Sequence, residues 1–131
     1  MHQHGLVLFA HGSRDPRWAE PFERIAARVR ARCGAGHPVV LAFLELMTPS
    51  LPEAVAALGA QGCTEATVVP VFLGQGGHVR RDLPELIEQC RAAHPGLRLH
   101  SATAAGEDDA VLDAIAAYCL GMVGETRPSQ D

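Results

Sequence analysis

The sequence predicts an α/β fold: a three-layer αβα arrangement around a four-stranded parallel sheet, with elements in the order βαβαβαβα. Three observations predict it. Short apolar runs alternate with amphipathic helical patterns. Glycine or proline turns separate each helix from the next strand, and 131 residues with 47% hydrophobic content suit one compact domain. The predicted domain covers residues 1–123, followed by a flexible polar tail at 124–131.

Four short runs are predicted to be strands. The first three are nearly continuous in apolar residues, as is typical of parallel strands that are covered on both faces. The predicted ranges are 6–10, 39–44, 66–72 and 97–101. Right-handed crossovers between such strands place helices on both faces of the sheet.

Four helices are predicted from apolar residues spaced three or four apart, which form one stripe along each helix. We expect each stripe to face the core. The stripes are Trp18, Phe22, Ile25, Val29 and Cys33; Leu51, Val55 and Leu58; Leu83, Leu86, Ile87 and Cys90; and Val111, Leu112, Ile115, Cys119 and Met122.

Charge and composition argue against several classes of protein. The formal net charge is -4 and every basic residue is arginine, which disfavours a nucleic-acid surface. No run approaches the roughly 18–20 apolar residues of a membrane span, and the first residues lack the pattern of a secretory signal, so we expect a cytoplasmic location. The four cysteines form no C-x-x-C pair. They are expected to be buried apolar residues, without a zinc or iron-sulfur site.

The candidate chemistry lies in the loops that follow the strands, because ligands of open α/β sheets bind outside the carboxyl ends of the strands. His11 follows the first predicted strand, Glu45 the second, and a glycine-rich loop ending at His78 the third. Neutral imidazole binds cobalt, nickel, iron and zinc, and it exchanges protons near neutrality. Two histidines and a carboxylate at one edge therefore predict a site that receives a metal ion and passes it on.

Structural roles compete with these assignments. Glu45 could cap the helix that begins near Pro49, and Ser13 and Asp15 could cap the helix that begins at Pro16. The glycines at 74–77 could cradle a phosphate, although the Lys-Ser/Thr ending of a P-loop is absent. The remaining histidines are interpreted as structural or incidental, with His2 and His4 in a disordered start, His37 and His94 in turns, and His100 a bystander near the edge.

Three segments together resemble the CbiX-type sirohydrochlorin chelatases. They are His11-Gly12-Ser13-Arg14-Asp15-Pro16-Arg17; Phe43-Leu44-Glu45-Leu46 leading to Pro49-Ser50-Leu51-Pro52-Glu53; and Val69-Pro70-Val71-Phe72-Leu73-Gly74-Gln75-Gly76-Gly77-His78-Val79-Arg80-Arg81-Asp82. The resemblance covers about residues 5–120. It implies a chelatase-like fold with a flavodoxin-like half, and a lyase that works without ATP and pairs as a homodimer with the cleft between subunits.

The resemblance also implies roles for single residues. His11 and His78 would bind the metal ion, and His11 or Glu45 would accept protons. Glu45 and the loop Leu73, Gly74, Gln75, Gly76 and Gly77 would lie against the macrocycle. Arg14 and Arg80, with Arg17 and Arg81 as further candidates, are suited to the carboxylates of the substrate.

The implied reaction is insertion of Co²⁺ or Fe²⁺ into sirohydrochlorin, for cobalamin or sirohaem synthesis, with the metal ion as substrate and no permanently bound cofactor. Nickel is a more distant choice of metal. The alternatives are a non-catalytic tetrapyrrole or metal carrier that uses the same cleft, and a flavodoxin-like module that binds phosphate. The loop Ala105-Gly106-Glu107-Asp108-Asp109 departs from the turn expected in this family.

Overall fold

The computed structural model describes residues 3–74 and 76–124, and for His78 the backbone alone. Its strands are β1 (His4–Ala10), β2 (Val39–Phe43), β3 (Glu65–Pro70) and β4 (Arg98–Ser101). They form one parallel sheet in the order β2-β1-β3-β4. The predicted α/β class and the four predicted strands are therefore confirmed, with ends that differ by one or two residues.

Four α-helices alternate with the strands: α1 (Glu20–Arg32), α2 (Leu51–Ala60), α3 (Gly77–Ala93) and α4 (Asp109–Gly121). Short 3-10 helices at Pro16–Ala19 and Ala105–Glu107 precede α1 and α4. The start of α2 is set by a capping box, in which the Ser50 hydroxyl accepts from the Glu53 amide and the Glu53 carboxylate accepts from the Ser50 amide. Glu45 is therefore not the cap of this helix.

The main core lies between the sheet and the helices α2 and α3. It contains the fully buried side chains of Val7, Phe9, Leu51, Leu58 and Val68. Alternate residues of β1 point to the opposite face, where Leu8 packs against α1. The central strands are thus apolar on both faces, as their sequence predicts.

Helix α4 differs from the other three because none of its residues is buried. Leu112, Ile115, Tyr118, Leu120 and Met122 are between 39% and 68% exposed. The main contact of α4 is with the 3-10 helix before it. The prediction that the stripe of α4 faces the core is therefore wrong for the single chain.

The cysteine prediction is correct for only two of the four residues. Cys63 and Cys90 are buried, and burial raises the pKa of both thiols. Cys33 is half-buried and Cys119 is exposed on α4.

An arginine side chain covers one backbone carbonyl at each edge of the sheet. The Arg30 guanidinium donates to the carbonyl of Val39 on β2, with Nη2 at 2.9 Å, and the Arg91 guanidinium donates to the carbonyl of Leu99 on β4, with Nη2 at 2.8 Å. Edge carbonyls that are bonded in this way are less available to a further strand. None of the helices in the described ranges has the length and apolar content that a bilayer span requires.

Candidate active site

His11 and Glu45 come together because the ladder between β1 and β2 continues past the strand ends. The Leu44 amide donates to the Ala10 carbonyl at 2.9 Å, and the Glu45 amide donates to the His11 carbonyl at 3.1 Å. The two side chains lie next to each other, with His11 Nε2 3.3 Å from Glu45 Oε2. The sequence prediction that these two residues share one edge of the sheet therefore agrees with the structure.

Gly12 allows this close approach of the two loops. Its φ is +104°, and a Cβ at this position would lie only 1.9 Å from the carbonyl oxygen of Glu45. An L side chain meets both a strained backbone and a steric clash here. The glycine after His11 is thus needed to hold the first two loops together.

The His11–Glu45 pair has the spacing of two ligands on one metal ion. Donors that stand about 2.0–2.1 Å from a tetrahedral ion are about 3.3–3.4 Å apart. The side chains are 43% and 47% exposed, so an ion can reach them from solvent. An imidazole and a carboxylate can also accept protons, which makes the pair suited to both tasks that the sequence assigns to this edge.

The glycine-rich loop follows β3 and leads into α3. Leu73 and Gly74 are exposed, Gly76 is the N-cap of α3, and Gly77 is already helical, so the loop begins and ends two residues earlier than predicted. Gln75 lies outside the described residues. His78 is the second residue of α3, and its side chain also lies outside what the structure describes. Its predicted role at the metal therefore stays a prediction.

An apolar cavity of about 390 Å³ opens beside His11. Its wall includes Trp18 and Phe22 from the first helical segment, Leu73 from the glycine-rich loop and Val111 from α4. The helical spacing of Trp18 and Phe22 predicts a stripe that faces the core. It gives no sign of a cavity, because an apolar stripe has the same spacing whether it faces a core or the wall of a pocket.

Neither of the two arginines predicted to bind substrate lines this cavity. Arg14 lines a separate cavity of about 330 Å³ next to Met47, and Arg80 lines one of about 310 Å³ between α3 and β4. Arg17 is engaged elsewhere, since its Nη2 donates to Asp15 Oδ2 at 2.9 Å. This pairing lowers the pKa of Asp15 and raises the pKa of Arg17. Asp15 caps the first 3-10 helix, as the sequence predicts.

A second cluster of polar side chains lies at the amino end of the sheet. His100 Nε2 is 2.6 Å from Glu65 Oε2, and His4 Nε2 is 2.7 Å from the hydroxyl of Thr67. His4 is the first residue of β1, so its assignment to a disordered start is wrong. His100 faces this cluster and not His11, which agrees with its interpretation as a bystander. The cluster was missed because its members are far apart in sequence.

Among the side chains that the structure describes, no three histidine, cysteine, aspartate or glutamate residues form a group that could hold a metal ion. At the candidate site the structure describes two of the three predicted catalytic side chains, His11 and Glu45. The site is therefore an imidazole–carboxylate pair whose histidine lines an apolar cavity, and α3 begins after the adjacent strand β3.

Comparisons with known proteins point to one family. The CbiX family model matches residues 5–119. The sirohydrochlorin cobaltochelatase of Methanothermobacter thermautotrophicus is 40% identical over 83 residues, which make up 63% of this chain and 57% of that protein. The match thus spans little more than half the length of that relative.

Solved structures share the fold. A CbiX protein from Marinobacter aquaeolei VT8 superposes with a TM-score of 0.82 and 35% identity, covering 92% of this chain and 98% of that chain. The sirohydrochlorin chelatase SirB from Bacillus subtilis subspecies spizizenii, in complex with cobalt, gives a TM-score of 0.76 and 26% identity, covering 87% of this chain and 48% of that chain. Because the CbiX family model matches residues 5–119 of its 131 residues, the chain belongs to the CbiX family.

Proposed function

We propose that the protein inserts a divalent metal ion, Co²⁺ or Fe²⁺, into sirohydrochlorin without ATP. The observation that carries this proposal is the distance of 3.3 Å between His11 Nε2 and Glu45 Oε2, where His11 also lines an apolar cavity. The chemistry named for its relatives supports the same reaction, since one is a sirohydrochlorin cobaltochelatase and SirB structures contain cobalt or Fe³⁺.

Two tasks fall to the His11–Glu45 pair. A divalent ion must lose bound water before it enters the ring, and imidazole and carboxylate ligands can replace that water while leaving other positions of the ion open. The ion also displaces two N–H protons of the ring, which must leave as the new metal–nitrogen bonds form. Glu45 or His11 can accept a proton once its own contact to the ion is released. His78, at the start of α3, is the proposed third metal ligand.

The loop at 73–77 is the proposed surface for the macrocycle. A Cβ added at Gly74, Gly76 or Gly77 would meet nothing within 4 Å beyond its chain neighbours, so these glycines leave open space above the loop. A flat ring can approach such a backbone closely. Gln75 is assigned to the same surface from the family resemblance alone. Arg14 and Arg80 are exposed and are the proposed partners of the substrate's peripheral carboxylates, because a guanidinium can bind a carboxylate through two hydrogen bonds.

A homodimer is the proposed working form. The exposed apolar side chains of α4 form the kind of patch that marks a protein interface. The cavity beside His11 opens next to Val111 at the start of the same helix. SirB is about twice as long as this chain, and two copies would supply a comparable pair of lobes. The cytoplasm is the proposed location.

The dimer has its own test. Tyr118→Glu places a charge on the most exposed part of α4 and is expected to shift the sedimenting species from the dimer to the 13.9 kDa monomer. Glu20→Arg, an equally large change on exposed α1, is the control and should leave the dimer intact. A native protein that sediments as a monomer at the concentration of the activity assay would refute the proposal.

The proposed activity is tested by anaerobic absorbance spectroscopy of sirohydrochlorin with Co²⁺ and Fe²⁺ in parallel. We expect the native protein to accelerate insertion. His11→Ala, Glu45→Gln and His78→Ala should each lose about 10²-fold or more in kcat, the range typical of a lost acid–base group. His94→Ala, at the carboxyl end of α3, is the control and should keep native turnover.

The faster metal indicates the pathway, cobalamin for Co²⁺ or sirohaem for Fe²⁺. If the protein binds sirohydrochlorin but does not accelerate metal insertion over the spontaneous reaction, the proposed enzymatic activity is refuted. The alternative, a carrier that uses the same cleft, is then favoured.

A further inference from the structure

We infer that Gly106 is a positioning residue for the segment 72–74, where the loop proposed as the macrocycle surface begins. The inference rests on the proposed function, because the loop is assigned to the substrate there. Gly106 lies in the 3-10 helix Ala105–Glu107, in the loop after β4 whose sequence departs from the family pattern.

The contact between Gly106 and this segment is a backbone-to-backbone contact. The Gly106 amide donates to the Phe72 carbonyl at 3.0 Å. A Cβ at Gly106 would lie 1.8 Å from the Leu73 carbonyl oxygen and 2.5 Å from the Leu73 Cα. Real Cβ contacts essentially never fall below 3.0 Å, so one of the two loops would have to move by about 1 Å if a methyl group were added.

The steric requirement for glycine thus lies at Gly106 and not in the loop it supports. Additions at Gly74, Gly76 and Gly77 meet nothing within 4 Å. The open space at those three glycines suits a ligand, whereas the tight contact at Gly106 holds the preceding residue of the loop in place. Leu73 is 63% exposed, so its side chain adds little packing to this backbone contact.

The neighbouring parts of the site have separate supports. Helix α3 is held by buried Val79 and Leu83, so the start of that helix need not follow a shift of Leu73. His11 and Glu45 are held by the backbone hydrogen bonds that continue the β1–β2 ladder and by the close approach at Gly12. A change at Gly106 should therefore disturb the macrocycle surface and leave the metal-binding pair in place.

The test compares Gly106→Ala with the control Gly96→Ala, which has open space around it and lies at the other end of the sheet. We expect Gly106→Ala to raise the KM for sirohydrochlorin about 10-fold or more, since displacements near 1 Å can cost up to about 10²-fold in a positioned site. The KM for the metal ion should stay within about twofold. Gly96→Ala should keep both constants.

A purely structural role for Gly106 would lower the fraction of active protein, and hence kcat, while leaving the KM for sirohydrochlorin unchanged. If Gly106→Ala does not fold, Ala105→Gly takes its place, because it loosens the same turn without a clash and should raise the same KM by a smaller factor. If whichever of these two variants folds has the native KM for sirohydrochlorin, the inference about Gly106 is overturned while the proposed function stands. Native protein that neither binds sirohydrochlorin nor accelerates insertion overturns the proposed function together with the inference.

Discussion

Gly12→Ala, compared with a matched glycine substitution elsewhere, gives the clearest test of whether the contact between the first two loops positions the site. The new methyl group would lie 1.9 Å from the carbonyl oxygen of Glu45, and relief of this clash to 3.0 Å requires a displacement of about 1 Å. The shift separates the loop of His11 from the loop of Glu45, so the distance between the two side chains no longer matches two ligands on one ion.

The size of each effect can be worked out separately. A non-glycine residue at φ +104° costs about 1–3 kcal/mol in backbone strain. A misplacement of about 1 Å in a positioned site can cost about 10²-fold in rate, which is roughly 2.7 kcal/mol of transition-state stabilisation. We therefore expect Gly12→Ala to lose both stability, measured by urea denaturation, and about 10²-fold in kcat/KM, measured by anaerobic metal insertion.

Gly62→Ala is the matched control. Gly62 also has a positive φ, +95°, but nothing lies within 4 Å of an added Cβ, and the residue follows α2 far from His11 in the chain. This variant should lose a similar amount of stability with no loss of kcat/KM. Equal turnover of the folded Gly12→Ala and Gly62→Ala proteins would refute the reasoning, since it would mean that the close contact with Glu45 does not position the site.

Three further predictions concern the fold. Ser50→Ala removes the hydroxyl of the capping box and should lower the free energy of unfolding by about 0.5–2 kcal/mol in urea titrations, with Ser101→Ala as an exposed control. Cys63 and Cys90 should resist alkylation in the native protein and react only in denaturant, because burial raises the pKa of both thiols. Alkylation of either thiol without denaturant, at the rate of the unfolded protein, would contradict their burial. The pKa of Asp15 is lower in the folded than in the unfolded chain, because its carboxylate pairs with Arg17. Its contribution to stability is therefore present above about pH 4 and disappears as the pH falls through the folded pKa. Asp15→Asn should flatten the thermal-unfolding profile below about pH 4.

The strands were predictable because burial on both faces requires nearly continuous apolar runs, a pattern that few other elements show. His11 and Glu45 were predictable as neighbours because parallel strands deliver their carboxyl ends to one edge. Gly12 and Gly106 were not singled out, since a backbone contact between loops leaves no periodic signal in the sequence.

Helix α4 shows where reasoning from periodicity fails. The apolar stripe of α4 is present, but such a stripe indicates only that one face of the helix is apolar and not what covers that face. The polar cluster around Glu65 was missed for a related reason. His4 and His100 reach Glu65 only through strand register, which depends on the pairing of β1, β3 and β4 and not on any local pattern.

The two arginines at the sheet edges limit how this protein can associate. With Arg30 on the carbonyl of Val39 and Arg91 on the carbonyl of Leu99, growth of the sheet from one molecule to the next is obstructed at both sides. A protein with an uncovered apolar helix faces a standing risk of uncontrolled aggregation. A bonded carbonyl at each edge hinders the route that could propagate into fibres, whereas contact through the helix can end in a closed pair. Substituting both arginines with alanine should therefore alter solubility more than it alters catalysis.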